Sequence, residues 1–318
     1  MTYSDDKTPA SARDGYAHIA CLGEVMIELS PLTQDTVRVG VAGDTFNTAV
    51  YLRRALDSAG AKVSYVTALG DEAMSERILE SLAEEGLSTG LIERRAGMSP
   101  GLYMITLDSQ GERSFSYWRS AAAARTVFQR PAQVPMEAMG DVDLLYLSGI
   151  SIAILPQDTR DALCDWIDGF RANGGKLAFD SNYRPRLWPD AETARRDTMK
   201  MWSRCDIALP SLDDEMDLFG DVDETAVMDR LARAGVHYGA LKRGPSGPRA
   251  LDGSGAALSV APVTGVVDTT AAGDSFNAGF LAAHAAGGTI AECMEAGHAL
   301  SARVICHRGA IIPRPSGG

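Results

Sequence analysis

HIACLGEVMIELSPLTQDTVRVGVAGDTFNTAVYLRRALDSAGAKVSYVTAL, residues 18–69, holds two short apolar runs on either side of a stretch with helical spacing. The first run, HIACL at 18–22, is closed by Gly23 and suits a buried strand, which residues 24–29 continue with apolar positions at Val25, Ile27 and Leu29. Gly43 and Asp44 open the helical stretch, in which Phe46, Val50, Leu52 and Leu56 share one face, and Gly60 ends it. The second run, VSYVTAL at 63–69, reads as another strand. Strand, helix, strand is how a parallel sheet begins.

The alternation continues outward. Helical periodicity predicts helices at 75–85, 156–173, 213–219, 224–234, 272–286 and 290–307. Apolar runs predict strands at 144–147, 177–180, 207–209 and 238–242. With no repeat of 20 to 50 residues, this is the pattern of an α/β fold with a mainly parallel sheet in a three-layer α/β/α arrangement. One region breaks the rhythm: residues 101–118, GLYMITLDSQGERSFSYW, alternate around Gly111 as an antiparallel hairpin would, and 36–41 form another extended piece. Together they predict a small β-sheet lid, inserted from about 33–42 and 98–120 into a single domain spanning 18–313. Residues 1–17 are polar, lack the apolar core of a signal peptide and read as a flexible tail.

The chain has 318 residues, enough for one large domain with a small appendage. Its 30 Lys and Arg against 42 Asp and Glu leave a formal charge of −12, which repels polyanions and argues against nucleic acid or an anionic membrane as partner. Five scattered cysteines with no C-x-x-C fit a reducing cytoplasm and argue against a zinc cluster. No stretch approaches the roughly 20 apolar residues that cross a bilayer.

The segment richest in chemistry is Val267-Asp268-Thr269-Thr270-Ala271-Ala272-Gly273-Asp274-Ser275-Phe276-Asn277-Ala278-Gly279-Phe280. Small residues at 271–273 let the backbone turn tightly and present amides at the start of an apolar helix, where the dipole favours an anion. Asp274 falls in that first turn. A carboxylate there serves many helices simply as a helix-start residue, but Asp268, Gly273 and Gly279 in the same fourteen residues point to chemistry.

This segment resembles the C-terminal signature of the ribokinase-like (PfkB) carbohydrate kinases, and Ala42-Gly43-Asp44-Thr45-Phe46-Asn47 resembles their N-terminal substrate motif. GEVMIEL (23–29), GLYMITLDSQGERSFSYWR (101–119), LSGIS (147–151), NYRPRLW (182–188) and LPSLDDE (209–215) are most similar to the 2-keto-3-deoxygluconate kinase branch. The similarity runs from about residue 19 to 313.

The resemblance implies a ribokinase-like fold, ATP and Mg²⁺ as cofactors, and a set of roles. Asp274 would be the general base toward a substrate hydroxyl. The amides of Ala271, Ala272 and Gly273 would form an anion hole for the transferring phosphoryl, since phosphoryl transfer asks a protein mainly for positioning and electrostatics. Gly43, Asp44 and Asn47 would contact substrate hydroxyls, with Tyr103 and Tyr117 covering the sugar from the lid. The nucleotide would lie by Asn182 and Ser211, the turn Lys242 to Gly247 with Gly244, and His298. The family's N-x-x-E stretch appears as Ser211-Leu212-Asp213-Asp214, so Asp214 would reach the metal through water and no direct metal ligand is expected. Arg119 follows Tyr117 and Trp118 at the end of the expected lid hairpin, Arg184 follows Asn182 and Tyr183 at the end of a strand, where ligands gather, and two guanidinium groups converging there suit a carboxylate. The expected partners are ATP and a small sugar acid, 2-keto-3-deoxygluconate phosphorylated at its C6 hydroxyl, with a homo-oligomer forming through the lid.

Two other readings stay open: a kinase for a neutral sugar such as fructose or ribose, or for a nucleoside, and a catalytically silent nucleotide-binding protein. A P-loop is excluded because no G-x-x-x-x-G-K-[ST] occurs, and a nicotinamide-dependent dehydrogenase is disfavoured because no G-x-G-x-x-G follows the first strand.

Overall fold

Along β1 (His18–Leu22) every residue is buried, and successive side chains go to opposite faces. Ala20 and Leu22 join one apolar cluster, whereas Ile19 and Cys21 join another. A strand packed on both faces must be paired on both edges, and β1 is: parallel with β4 (Lys62–Leu69) on one side and β8 (Leu144–Ser148) on the other.

The computed structural model describes residues 15–33, 35–107 and 113–314. Among these, the main sheet runs β10-β9-β8-β1-β4-β5, with β5 at Ser88–Arg94, β9 at Lys176–Asp180 and β10 at Ile207–Ala208; every pairing is parallel. One face carries α4 (Gln157–Ala172), α5 (Ala191–Trp202), α6 (Leu212–Phe219) and α7 (Glu224–Arg233), which contribute Leu163, Trp202, Leu218 and Leu231 to the core. The other face carries α1 (Asp44–Ala55), α2 (Ala73–Glu84), α8 (Ala272–Ala285) and α9 (Ile290–Val304), contributing Phe46, Leu82, Phe280 and Cys293. A short α3 (Gly149–Ala153) follows β8, and a two-stranded ribbon pairs β11 (Ala240–Leu241) with β12 (Arg249–Ala250). This is the three-layer α/β/α arrangement the sequence predicts.

The small sheet is present, in the order β3-β2-β6-β7 with β2 at Met26–Pro31, β3 at Val37–Ala42, β6 at Gly101–Leu107 and β7 at Arg113–Trp118. β2 pairs antiparallel with β3 and parallel with β6, and β6 pairs antiparallel with β7. Residues 24–29 therefore do not prolong the first strand: the chain leaves the core sheet after Leu22 and enters the small sheet at Met26. The expected turn at Gly111 lies outside the described residues, as do residues 1–14 of the expected tail. Residues 15–17 are packed rather than loose: the Tyr16 hydroxyl lies 2.9 Å from His284 Nε2, and the Ala17 amide donates to Asp143 at 2.8 Å. The strands β5 and β12 and the helices α3 and α5 are further elements that apolar spacing did not reveal.

Candidate active site

The carboxyl ends of β8 and β9 and the amino ends of α1 and α8 meet at one place. Ligands gather at the carboxyl ends of strands in such sheets. Asp44, in the first turn of α1, accepts from Asn182 Nδ2 at 2.8 Å and from the Ser148 hydroxyl. Asn182 takes a left-handed φ of 28°, a conformation Asn tolerates better than most residues and one that recurs at functional sites. One turn further along α1, Asn47 donates from Nδ2 to the Asp274 carboxylate at 2.8 Å, and Thr48 donates to the Asp274 carbonyl at 3.2 Å.

Gly43 precedes this helix because of close approach. A Cβ there would stand 2.3 Å from the Glu24 carbonyl oxygen. The glycine lets the link between β1 and β2 lie directly against the start of α1.

Asp274 occupies the first turn of α8. Burial pushes its carboxyl up to about 8, reinforced by the nearby charges of Asp44 and Asp180 and opposed by the hydrogen bond from Asn47 and the Lys242 ammonium. Such a group holds a proton over much of the neutral range, and its deprotonated fraction, which grows as pH rises toward 8, is the form that can accept one. Before it, Ala271 caps the helix with φ 60°, a left-handed conformation that costs an alanine about 1 kcal/mol. The amide of Ala272 is already used, donating to the Thr269 carbonyl at 3.1 Å. The three expected anion-hole amides are thus reduced by one, because a tight turn satisfies its own first donor. Among the described residues the Gly273 and Asp274 amides meet no backbone acceptor.

Lys242, immediately after β11, donates to Asp180 Oδ2 at 2.8 Å and to Asn277 Oδ1 at 3.1 Å. Asn277 in turn donates to Asp180 at 2.6 Å and to the Tyr146 hydroxyl at 3.0 Å. Of the residues singled out from the sequence, the structure joins Asp44, Asn47, Asn182, Lys242 and Asp274 with these partners into one polar cluster.

The remaining candidates stand around it. The Tyr103 hydroxyl donates to Glu28 across the small sheet, and its ring lies 5.8 Å from that of Tyr117, which is half exposed. Arg119 leaves the end of β7 and pairs with the buried Glu24, its guanidinium 5.8 Å from the Tyr117 ring centre. Arg184 is half exposed, donating to the Tyr183 carbonyl at 2.7 Å and to Asp214 at 3.4 Å. Burial raises the Asp214 carboxyl, with Asp180 adding to the effect and Arg184 and Lys242 opposing it, so Asp214 lies within electrostatic reach of the cluster. Ser211 caps α6 without a side-chain bond to it, its amide donating to Ser181 Oγ at 3.0 Å. Gly244 begins a single 3-10 turn that Gly247 closes at φ 76°. His298 is partly exposed in the middle of α9 and makes no hydrogen bond to the cluster.

Sequence reading missed Glu24, Tyr146, Ser148, Asp180 and Asn277. Two left a signal: Asn277 is one helical turn beyond Asp274, and Asp180 ends an apolar run at the carboxyl end of a strand.

Residues 17–317 match the pfkB family carbohydrate kinases. The chain belongs to that family, and it is an ATP-dependent carbohydrate kinase. It is 43% identical over 304 residues to the 2-dehydro-3-deoxygluconokinase of Escherichia coli K12, covering 93% of this chain and 97% of the relative. The enzyme of the same name from Dickeya dadantii is 44% identical over 301 residues, with the same coverage. Among solved structures, the 2-dehydro-3-deoxygluconokinase of Thermotoga maritima superposes with a TM-score of 0.82 over 93% of this chain and 95% of that one; at 20% identity it speaks for the fold.

Proposed function

We propose that this kinase transfers the γ-phosphoryl group of ATP to the C6 hydroxyl of 2-keto-3-deoxygluconate, giving 2-keto-3-deoxy-6-phosphogluconate and ADP. The observation that carries the reading is the pairing of Asp274 with Asn47: the carboxylate with the raised pKa is held by the substrate motif at the head of α8. The names of the relatives that cover nearly the whole chain point to the same acceptor.

Asp274 takes the proton of the C6 hydroxyl as that oxygen attacks the γ-phosphorus and the bond to the β-phosphate oxygen breaks. Amides at 271, 273 and 274 and the positive end of α8 face the charge on the transferring group. Gly43, Asp44 and Asn47 orient the sugar hydroxyls. Arg119 and Arg184 receive the sugar carboxylate, and the small sheet with Tyr103 and Tyr117 closes over the site and excludes water. Asn182, Ser211, Lys242, Gly244, Gly247 and His298 line the nucleotide side.

Among the described residues no group of three or more His, Cys, Asp or Glu could hold a metal ion. Mg²⁺ fits this chain as an ion carried by the nucleotide, with Asp214 accepting from its water shell; bound there, it would offset phosphate charge. The exposed apolar side chains of the small sheet, Val37, Phe115, Tyr117 and Trp118, with Leu32 just after β2, support a homo-oligomer formed through it. No helix among the described residues is long and apolar enough to cross a membrane. Five cysteines without disulfides support a cytoplasmic setting.

A neutral sugar is the second reading, favoured by one fact: both arginines already have protein carboxylates as partners. An assay of ADP release with 2-keto-3-deoxygluconate, fructose, ribose and adenosine separates the two. Preference for a neutral acceptor would overturn the sugar-acid reading.

A further inference from the structure

Asp180 and Asn277 are almost wholly enclosed, at 3% and 0% exposure, yet between them they hold a lysine at the rim of the phosphate cradle. An ammonium has three N–H donors. Lys242 gives one to Asp180 and one to Asn277, and among the described residues the third has no acceptor. The direction left for it is toward the head of α8: a Cβ added to Gly273 would stand 3.6 Å from Lys242 Nζ. Asn277 is fixed from below, since it also donates to Asp180 and to the buried Tyr146 hydroxyl. The ammonium therefore cannot swing away without leaving a buried carboxylate unpaired, which is costly.

We propose that Asp180 and Asn277 are positioning residues for phosphoryl transfer: they aim the Lys242 ammonium at the phosphoryl group over Gly273. The inference rests on the kinase reading above but not on which sugar is phosphorylated. Without the pair, a lysine on a turn would sample many rotamers; with it, the charge stands ready where charge gathers in the transition state. Asp274 is faced by Asp44 and Tyr51 from α1, Asp180 from β9, Lys242 after β11, Tyr103 from the small sheet and Tyr146 from β8. Of these, Asp180 and Lys242 are an opposed pair, so removing either moves Asp274 in a known direction.

The test uses the whole chain labelled with carboxyl-¹³C aspartate, the Asp274 resonance being the one lost in Asp274→Asn. In Asp180→Asn the Asp274 titration moves down by about one pH unit or more, because a like charge is removed. In Lys242→Met it moves up, because an opposite charge is removed. The acid limb of kcat/KM against pH, measured with whichever acceptor the wild type phosphorylates, moves the same two ways. Turnover falls about tenfold in Asp180→Asn and roughly 10²-fold in Lys242→Met. A general packing defect would lower both rates and leave both titrations in place, and that result, or shifts of the same sign in the two variants, overturns the proposal. Failure of the wild type to phosphorylate a sugar acid would defeat the substrate reading alone, since the titration needs no substrate.

Discussion

Replacing Asp274 by Asn removes a buried carboxyl whose burial opposes folding more and more as pH rises. In the unfolded chain the carboxyl titrates at its ordinary value near 3.8; in the folded protein it titrates at about 8. Between those two pH values the folded state keeps a proton that the unfolded state has released, so stability falls with rising pH by about 1.4 kcal/mol per pH unit. Across the whole window this amounts to about 6 kcal/mol, present as a penalty at pH 8 and above and absent below about pH 4. Asn keeps the shape and can still accept from Asn47, but it carries no charge. The Asp274→Asn protein is therefore expected to match the wild type near pH 4 and to exceed it by about 6 kcal/mol at pH 9, while turnover falls by 10²-fold or more for want of a base. Urea unfolding of both proteins at pH 5, 7 and 9, with the ATP-dependent rate at each pH, measures both effects. Parallel stability profiles, or a variant weaker than the wild type at pH 9, would refute the account of Asp274 as a buried, proton-holding base.

Gly43→Ala forces a Cβ to within 2.3 Å of the Glu24 carbonyl, and a loss of about 1–3 kcal/mol in urea unfolding should accompany weaker sugar binding. Ala271→Gly relieves a left-handed alanine and should stabilise by about 0.5 kcal/mol with turnover retained; a loss of stability would show that the methyl group packs usefully. For Arg184→Ala the expectation is a rise of roughly 10-fold or more in KM for the sugar acid with little change for fructose, and equal effects on both acceptors would remove the carboxylate role. Trp118→Glu places a charge on the exposed face of the small sheet and should convert an oligomer to monomers in light scattering, whereas an unchanged mass would locate any interface elsewhere.

Much of the fold was readable because its strands and helices announce themselves by period. β1, α1 and β4 are bounded by Gly23, Gly43 and Gly60, and their apolar positions repeat at the spacing of a strand or a helix. β2 misled because Val25, Ile27 and Leu29 keep the strand period across a change of sheet; period reports exposure of alternate faces, not which sheet supplies the cover. α5 escaped because its buried face rests on Ala194, Met201 and Trp202 among charged residues, too sparse a stripe to detect. The site divides in the same way. Asp274 and Asn47 lie in motifs whose residue types carry the chemistry. Asp180 and Asn277 act through partners 62 and 97 positions distant along the chain, and a buried Asp at a strand end looks in sequence like any turn residue.

The hydrogen bond from Asn47 to Asp274 joins positions 227 residues apart, and the Thr48 bond to the same residue spans 226. Emergence from the ribosome is sequential, so a nascent chain carries Asn47 on α1 long before it carries Asp274 on α8. Competence to spend ATP arrives only when α8 has been made and has packed onto α1. Chains cut before α8, which begins at Ala272 of the 318 residues, are expected to show no turnover, and the appearance of turnover in a refolding experiment would mark the closing of a loop of 227 positions, one of the slowest kinds of contact to form.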